Sequence, residues 1–122
     1  MLQIIIDNFP AFRDESEFKG RRVSFYKRAQ ILIADLWACF EGQGLCQFND
    51  IDTVTMFADY RIPQVLVHFG VLRYSDHLNA LLEKSHLFKS GDELESEIRG
   101  CTIHAVDVSR CFVFIYNFTV FF

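Results

Sequence analysis

The chain has 122 residues, the length of one ordinary domain and enough to bury a hydrophobic core. Apolar residues make up 51% and aromatic residues 16% of it, which excludes disorder over most of the chain. The formal net charge is −4, whereas proteins that bind nucleic-acid backbone are normally basic, so duplex DNA and long RNA are poor candidate ligands. One small anion is compatible with this charge, because one or two basic groups can hold it.

The first predicted helix lies near the middle of the N-terminal half. Residues 2–6 form an apolar run that fits either a short strand or the end of a helix, and the charged residues 12–20 are interpreted as a connection. A helix is then predicted over residues 24–41, with Ser24 as its N-terminal cap and Gly42 at its end. Its apolar residues form two stripes, typical of a central helix: Phe25, Ala29, Leu32, Leu36 and Phe40, and beside them Tyr26, Ile33 and Trp37.

The next two predicted helices flank a short polar connection. The first runs from about Asp52 to Ala58, and the second begins with Pro63 as its first residue, which pushes Ile62 out of the helical region. Residues 59–61 then form a connection where side chains can converge on a pocket. The second helix is predicted to have a buried face and, at Gly70, a close approach of a neighbouring element. That buried face consists of Val65, Leu66, Phe69 and Leu72.

The C-terminal half continues as helices. Ser75 and Asp76 are predicted to cap one helix, and residues 91–92 to begin another. The apolar residues assigned to these helices are Leu78, Leu81 and Leu82 in the first, and Leu94, Ile98, Cys101, Ile103 and Val106 in the second. Without a hairpin signal or an internal repeat, the pattern predicts an all-α body over residues 1–110. Residues 111–122 are uncharged and β-prone, and are interpreted as a separate apolar tail.

The cysteines bear on metal binding and on the cellular compartment. None of the four stands in CxxC spacing and no His pair has metal-ligand spacing, so we expect no metal site. The N-terminal run contains Asp7 and no basic region, unlike a secretory signal, and no apolar run is long enough to span a membrane. We therefore expect reduced thiols in a cytoplasmic or nuclear protein, with the cytoplasm preferred.

Candidate chemistry is concentrated around Asp59. Its carboxylate has two interpretations: a cap or a partner of Arg61, or a group aimed into a pocket, where it could stabilise or attack a developing cation as glycosidic-bond cleavage requires. Phe57 and Tyr60 are either core aromatics or rings that stack on a planar base. Lys27 and Arg61 are either solvated cations or contacts for a charged group such as a phosphate. Spacing alone thus predicts a helical domain with one candidate acidic pocket.

Several segments of the chain resemble the queuosine salvage family, the queuosine 5′-phosphate N-glycosylase/hydrolases. The most specific are Tyr-Lys-Arg-Ala-Gln-Ile at residues 26–31, Met-Phe-Ala-Asp-Tyr-Arg at residues 56–61 and Glu-Ile-Arg-Gly at residues 97–100. Shorter matching pieces lie at residues 12–15, 19–20, 34–35 and 74–75. Together they form one collinear run over residues 12–108.

The resemblance implies an all-α fold similar to the helix-hairpin-helix DNA glycosylases. It also implies hydrolysis of queuosine 5′-monophosphate to queuine and ribose 5-phosphate, in the salvage of queuine for tRNA modification, without a metal or organic cofactor. Asp59 then resembles the catalytic acid, Phe57 and Tyr60 the residues of the base pocket, and Lys27 or Arg61 the phosphate contact. The expected protein is a monomer that binds a small nucleotide and makes no direct contact with nucleic acid or membrane.

The chain departs from the family in length. Members of the family are considerably longer, so this sequence resembles the middle of the enzyme, with a different start and the apolar tail as its end. We therefore expect an incomplete domain that is marginally folded and weakly active or inactive. One alternative is a non-catalytic helical isoform that acts only by association. Another is a glycosylase relative that binds nucleic acid, against which the net charge of −4 argues.

Overall fold

The structure is a computed structural model that describes residues 1–115, with side chains as far as Arg110. It divides into two compact units, unit 1 (Met1–Phe57) and unit 2 (Ala58–Phe122). Unit 1 contains α1 (Leu2–Asn8), β1 (Glu15–Phe18), β2 (Arg21–Ser24), α2 (Lys27–Cys39) and three 3-10 helices, Pro10–Phe12, Gly44–Cys46 and Ile51–Thr53. Unit 2 contains α3 (Arg61–His68), α4 (Asp76–Glu83) and α5 (Glu93–Ile115).

Unit 1 contains a β-hairpin that the sequence reasoning missed, so the all-α prediction is correct only for most of the chain. β1 and β2 pair antiparallel, with Glu15 opposite Ser24 and Phe18 opposite Arg21. The two-residue turn between them, Lys19 and Gly20, has φ angles of 50° and 73°. Positive φ at both turn residues matches the right-handed twist of the paired strands, which is why such a turn closes a hairpin. Residues 12–20 are therefore not merely a connection.

The hairpin moves the start of the central helix. Ser24 is the last residue of β2, so it does not cap α2 as predicted. Tyr26, in the left-handed conformation with a φ of 50°, precedes the helix instead, and the carboxylate of Asp14 accepts the backbone N–H of Lys27 at 3.1 Å. The predicted end is confirmed, because Gly42 has a φ of 67° and its N–H donates to the carbonyl of Trp37 at 2.8 Å.

The core of unit 1 lies where α1, α2 and the following 3-10 helix meet. The apolar N-terminal run, for which both a strand and a helix were considered, is helical, and it buries Ile5 and Ile6 against α2. The other buried members of this core are Ala29, Ile33, Cys46 and Phe48. The predicted stripes of α2 are wrong at their C-terminal ends, since Trp37 is 41% and Phe40 58% exposed.

The helix predicted from Asp52 to Ala58 is absent. Only the 3-10 helix Ile51–Thr53 forms there, and the chain then continues without helical structure to residue 59. Gln30, itself buried, accepts the backbone N–H of Thr55 through its side-chain oxygen at 2.8 Å. Because Val54 and Thr55 are β-branched, they lose side-chain freedom in a helix, and this tertiary hydrogen bond favours the extended form.

In unit 2, α3 begins two residues earlier than predicted. Pro63 is its third residue and Ile62 lies inside it. Proline is tolerated there because the first-turn N–H groups have no acceptor within the helix. Gly70 follows the helix end with a φ of 72°, and a Cβ atom added to it would meet nothing within 4 Å. Gly70 therefore terminates α3 and does not serve the close approach that was predicted.

The predicted buried face of α3 is wrong in part. Pro63 is buried, while Leu66 is half-buried. Val65 and Phe69, by contrast, are 50% and 74% exposed. α3 packs against α5 within this unit.

The remaining helices follow the prediction more closely. The hydroxyl of Ser75 accepts the N–H of Leu78 at 3.2 Å, which confirms it as the cap of α4. The start of α5 directly after Asp92 is also confirmed. Cys101 is exposed, while its neighbour Thr102 is buried, and the Thr102 hydroxyl can donate to the carbonyl of Ile98 at 2.6 Å.

The predicted apolar tail is only partly described. α5 runs on to Ile115, so residues 111–115 are helical rather than extended. Residues 116–122 lie outside the described residues. Within residues 1–115, no helix combines the length and the apolar character that crossing a membrane requires. Cys39, Cys46 and Cys101, the cysteines with described side chains, form no disulfide with one another.

Candidate functional site

Asp59 stands at the entrance of α3 and is half-buried. Its carboxylate oxygen Oδ1 accepts the backbone N–H of Arg61, the first residue of the helix, at 2.6 Å. An acid in this place satisfies a first-turn amide and interacts favourably with the positive end of the helix dipole. The carboxylate thus binds a first-turn amide, as a structural role requires, although the capping position itself belongs to Tyr60. The same bond also fixes the direction of the carboxylate, which a catalytic group requires.

The two residues after Asp59 form a contact pair. The guanidinium carbon of Arg61 lies 5.4 Å from the centroid of the Tyr60 ring, within the range of a cation–π interaction. The pKa of Arg61 is raised above its ordinary value, mainly by a hydrogen bond to the Tyr60 side chain, with a smaller contribution from the charge of Asp59. Tyr60 is 67% exposed, so its interpretation as a core aromatic is wrong. The pair is accessible to a ligand.

The other two predicted site residues belong to unit 1. Phe57 is its last residue and is half-buried. Lys27 is half-buried as well and is the first residue of α2. A cation at this end opposes the helix dipole, and the Asp14 carboxylate on the Lys27 amide offsets the conflict. The structure thus brings together Asp59, Tyr60 and Arg61, whereas the convergence of Lys27 and Phe57 with them stays a prediction.

A second polar cluster, which the sequence reasoning missed, lies beside the hairpin. The Tyr26 hydroxyl donates to Oε1 of Glu15 at 2.8 Å, and the Arg22 guanidinium pairs with Oε2 of the same carboxylate. These two bonds, in that order, lower the pKa of Glu15. The cluster borders an open cleft of about 280 Å³. The strand register places these groups together, and recognising the two-residue turn would have found them.

Arg13 closes the other side of this cleft. Its Nε atom donates to the carbonyl of Ile6 at 2.8 Å and its Nη2 atom to that of Asp7 at 3.1 Å. Arginine is well suited to this position, because the last carbonyls of a helix lack partners and carry partial negative charge. The charged groups here therefore bind one another and the backbone, which is a structural role.

Comparison with known proteins shows to which family the chain belongs. The family model of the queuosine salvage protein matches residues 1–113. The chain belongs to the queuosine salvage protein family. The match begins at residue 1 rather than at Phe12, and it encloses every segment on which the resemblance was based.

Three relatives are named queuosine 5′-phosphate N-glycosylase/hydrolase. The chain is 54% identical to that of Mus musculus over 110 residues, which are 90% of this chain and 32% of the relative. The identity to the relative from Nematostella vectensis is 55% over 107 residues, which are 88% of this chain and 31% of that relative. The identity to the relative from Bos taurus is 50% over 110 residues, which are 90% of this chain and 32% of that relative. The chain therefore spans about a third of the length of the curated relatives it matches.

Two carboxylates, Asp59 and Glu15, lie within the segment that the queuosine salvage family model matches. The match covers both Asp59 and the Glu15 cluster, so coverage alone does not choose between them. Both carboxylates are engaged, Glu15 by Tyr26 and Arg22, and Asp59 by the Arg61 amide at the entrance of α3, so the choice of Asp59 as the catalytic residue stays a prediction. The family match ends at residue 113 and α5 at Ile115, and the division of the chain at residue 110 stays a prediction.

Proposed function

We propose that this chain carries the catalytic acid for hydrolysis of the N-glycosidic bond of queuosine 5′-phosphate, which releases queuine and ribose 5-phosphate. The observation that carries the proposal is the family match, which encloses the whole segment from Phe57 to Arg61. The names of the relatives supply the substrate and the type of reaction. In this role the chain belongs to queuosine salvage, where the product queuine is reused for tRNA modification.

The acid acts on the sugar side of the bond. Queuine is a 7-deazaguanine, so it lacks the N7 atom that would be protonated in a purine leaving group. The catalyst must therefore stabilise or capture the positive charge that develops at the anomeric carbon. The Asp59 carboxylate, oriented by its bond to the Arg61 amide, is suited to that task, and water completes the hydrolysis.

The neighbouring side chains bind the two ends of the nucleotide. Tyr60 and Phe57 are proposed to stack on the base, because aromatic rings offer flat apolar faces of matching size. Arg61 or Lys27 is proposed to hold the 5′-phosphate, for which guanidinium and ammonium groups are the usual partners. The mutual contact of Tyr60 and Arg61 supports this division, since it keeps the cation beside the ring without burying it.

Other parts of the proposal concern the whole protein. They are a helical body like that of the helix-hairpin-helix glycosylases, a monomeric state, a cytoplasmic location and the absence of direct nucleic-acid binding. Because the chain spans about a third of its relatives, we propose that its own activity is weak or absent in isolation. The second candidate function, a non-catalytic chain that acts by association, is favoured by the same coverage.

The deciding experiment is mass-spectrometric detection of queuine after incubation of the purified chain with queuosine 5′-monophosphate. Asp59→Asn keeps an oxygen that can accept the Arg61 amide but removes the charge, so it separates catalysis from capping. Asp35→Asn, at an exposed position on α2, is the matched control. Any queuine that the parent chain releases should also be released by the control, and at least about 100-fold less should come from Asp59→Asn. No queuine from a folded parent chain would favour the association-only function.

A further inference from the structure

Three apolar side chains form a stripe along α3 that is exposed among the residues whose side chains are described, 1–110. Ile62, Val65 and Phe69, hereafter the α3 stripe, are spaced by three and four residues, so they lie on one side of the helix. Their exposure rises along the stripe from 37% to 50% to 74%. Single exposed apolar residues are normal on proteins, but aligned ones form a patch typical of an interaction site.

The stripe is distinct from the side of α3 that its own unit buries. Pro63 is buried, Leu66 and Val67 are half-buried, and α3 packs against α5. The helix therefore has two adjacent apolar sides, of which one is covered. Exposed polar residues, among them Gln64 and His68, border the stripe, and an apolar centre with a polar rim is the usual anatomy of an interface.

Phe69, the most exposed member, is held in an ordered position. Its ring meets that of His68 edge-on, with centroids 5.2 Å apart. Gly70 then reverses the chain, and the N–H of Val71 returns to the carbonyl of Leu66 at 2.8 Å. A large apolar side chain presented on a well-formed helix end needs little ordering when a partner binds, which favours its use as an anchor.

We propose that the α3 stripe is a docking surface for polypeptide of the family's own sequence, namely the part that the longer relatives carry outside the matched region. The chain covers 32% of the Mus musculus relative, so 68% of that protein (100 − 32) lies outside the match and can supply a complementary apolar surface. Two members of the stripe, Val65 and Phe69, were expected to be buried because they have the pattern of a buried helix face. This docking goes beyond catalysis, and it does not depend on the identity of the catalytic acid.

The test is reconstitution in two pieces. The chain is co-expressed with the Mus musculus relative from which the matched region has been removed, and complex formation is measured by affinity capture and by light scattering on a sizing column. We expect a one-to-one complex with the parent chain and with Leu87→Asp, a control at a residue that is 89% exposed but away from α3. Phe69→Asp is expected to reduce binding at least tenfold. Since the charged variant could fail to fold, Phe69→Ser is tested beside it, with circular dichroism of each.

The outcomes separate the possible occupants. Undiminished capture of the complementary polypeptide by folded Phe69→Asp or Phe69→Ser overturns the proposal, and so does absence of capture by the parent chain. A different result also overturns the proposal: the parent chain associates with itself, Phe69→Ser abolishes this association, and the complementary polypeptide is not captured. In that case the stripe binds a second copy of the chain. Loss of capture in the stripe variants alone supports it. Queuine release is not measured here, so failure of docking and failure of the proposed catalysis are distinguishable.

Discussion

The side-chain oxygen of Gln30 accepts two hydrogen bonds from Thr55, one from its backbone N–H at 2.8 Å and one from its hydroxyl at 3.3 Å. Through its amide nitrogen, Gln30 also donates to the carbonyl of Phe25 at 2.8 Å. One buried residue of α2 therefore fixes both the entrance of its own helix and the segment that leads to Phe57. This explains why a polar residue lies inside an apolar core.

Replacement of Gln30 by Leu is expected to lower the free energy of unfolding by about 1–3 kcal/mol, because it removes the acceptor of the Thr55 backbone N–H. The amide of Thr55 should also exchange with solvent faster. Urea unfolding and hydrogen exchange measure the two effects. Gln47→Leu, at an exposed position, is the control, and an unchanged Thr55 exchange rate in Gln30→Leu would contradict the role assigned to this side chain.

Asp59 is expected to show a structural contribution separable from its chemistry. Asp59→Ala removes the acceptor of the Arg61 amide and should cost about 1 kcal/mol of stability, while Asp59→Asn retains an acceptor and should cost a few tenths. Urea unfolding of the three proteins gives the comparison. Equal destabilisation by Ala and Asn would show that charge, rather than the hydrogen bond, is what stabilises the start of α3.

The hairpin is expected to weaken at acidic pH. The hydrogen bond from Tyr26, followed by that from Arg22, holds the pKa of Glu15 below its ordinary value of 4.5. A carboxyl whose pKa is depressed in the folded state stabilises that state above its unfolded pKa. This contribution is lost as the pH falls from about 4.5 through the lowered pKa of Glu15.

Tyr26→Phe tests this linkage, since it keeps the ring and removes the hydroxyl. The pKa of Glu15, measured by NMR titration of its carboxyl carbon, should rise towards 4.5. Tyr74→Phe serves as the control. A Glu15 titration curve that is the same in Tyr26→Phe as in the parent would exclude the Tyr26 hydroxyl as the main cause.

The same Gly→Ala substitution is expected to have opposite effects at two positions. Gly20 lies in the hairpin turn with a φ of 73°, where an alanine should cost about 1–2 kcal/mol through backbone strain. Gly100 lies inside α5, where a Cβ atom would meet nothing within 4 Å, so alanine should stabilise by about 0.5–1 kcal/mol. Denaturant unfolding of the two variants measures both, and a gain in stability for Gly20→Ala would argue against the turn geometry.

The sequence predicts the elements whose signals are local. Ser75 accepts from the amide three residues on, and Gly42 ends α2 with a positive φ, both as expected from residue type alone. The hairpin was missed because its signals are weak, since Lys19 replaces the usual Asn before Gly20 and each strand has a single apolar residue, Phe18 in β1 and Val23 in β2. The prediction that Val65 is buried was wrong for a different reason. Periodicity shows that a helix has an apolar side, but it does not show whether a neighbouring element covers that side.

The candidate site could be predicted only in its local part. Residues 59–61 were placed at the entrance of a helix, and the structural alternative for Asp59 agrees with its hydrogen bond to the Arg61 amide. The contact between Tyr60 and Arg61 follows from their being neighbours in the chain. The position of Thr55 could not be predicted, because its partner Gln30 lies 25 residues away and only the folded structure brings the two together.

Pro63 has a consequence for how α3 begins to form. A helix of eight residues is too short to persist alone in water, because its first turn fixes several dihedral angles before hydrogen bonds compensate. The pyrrolidine ring fixes one of those angles already in the unfolded chain, and the Asp59 carboxylate binds an amide of the same turn. Nucleation of α3 is thus favoured at the N-terminal end that carries the candidate catalytic residue. Residues 59–63 therefore favour the start of α3 locally, while the persistence of the helix depends on its packing against α5.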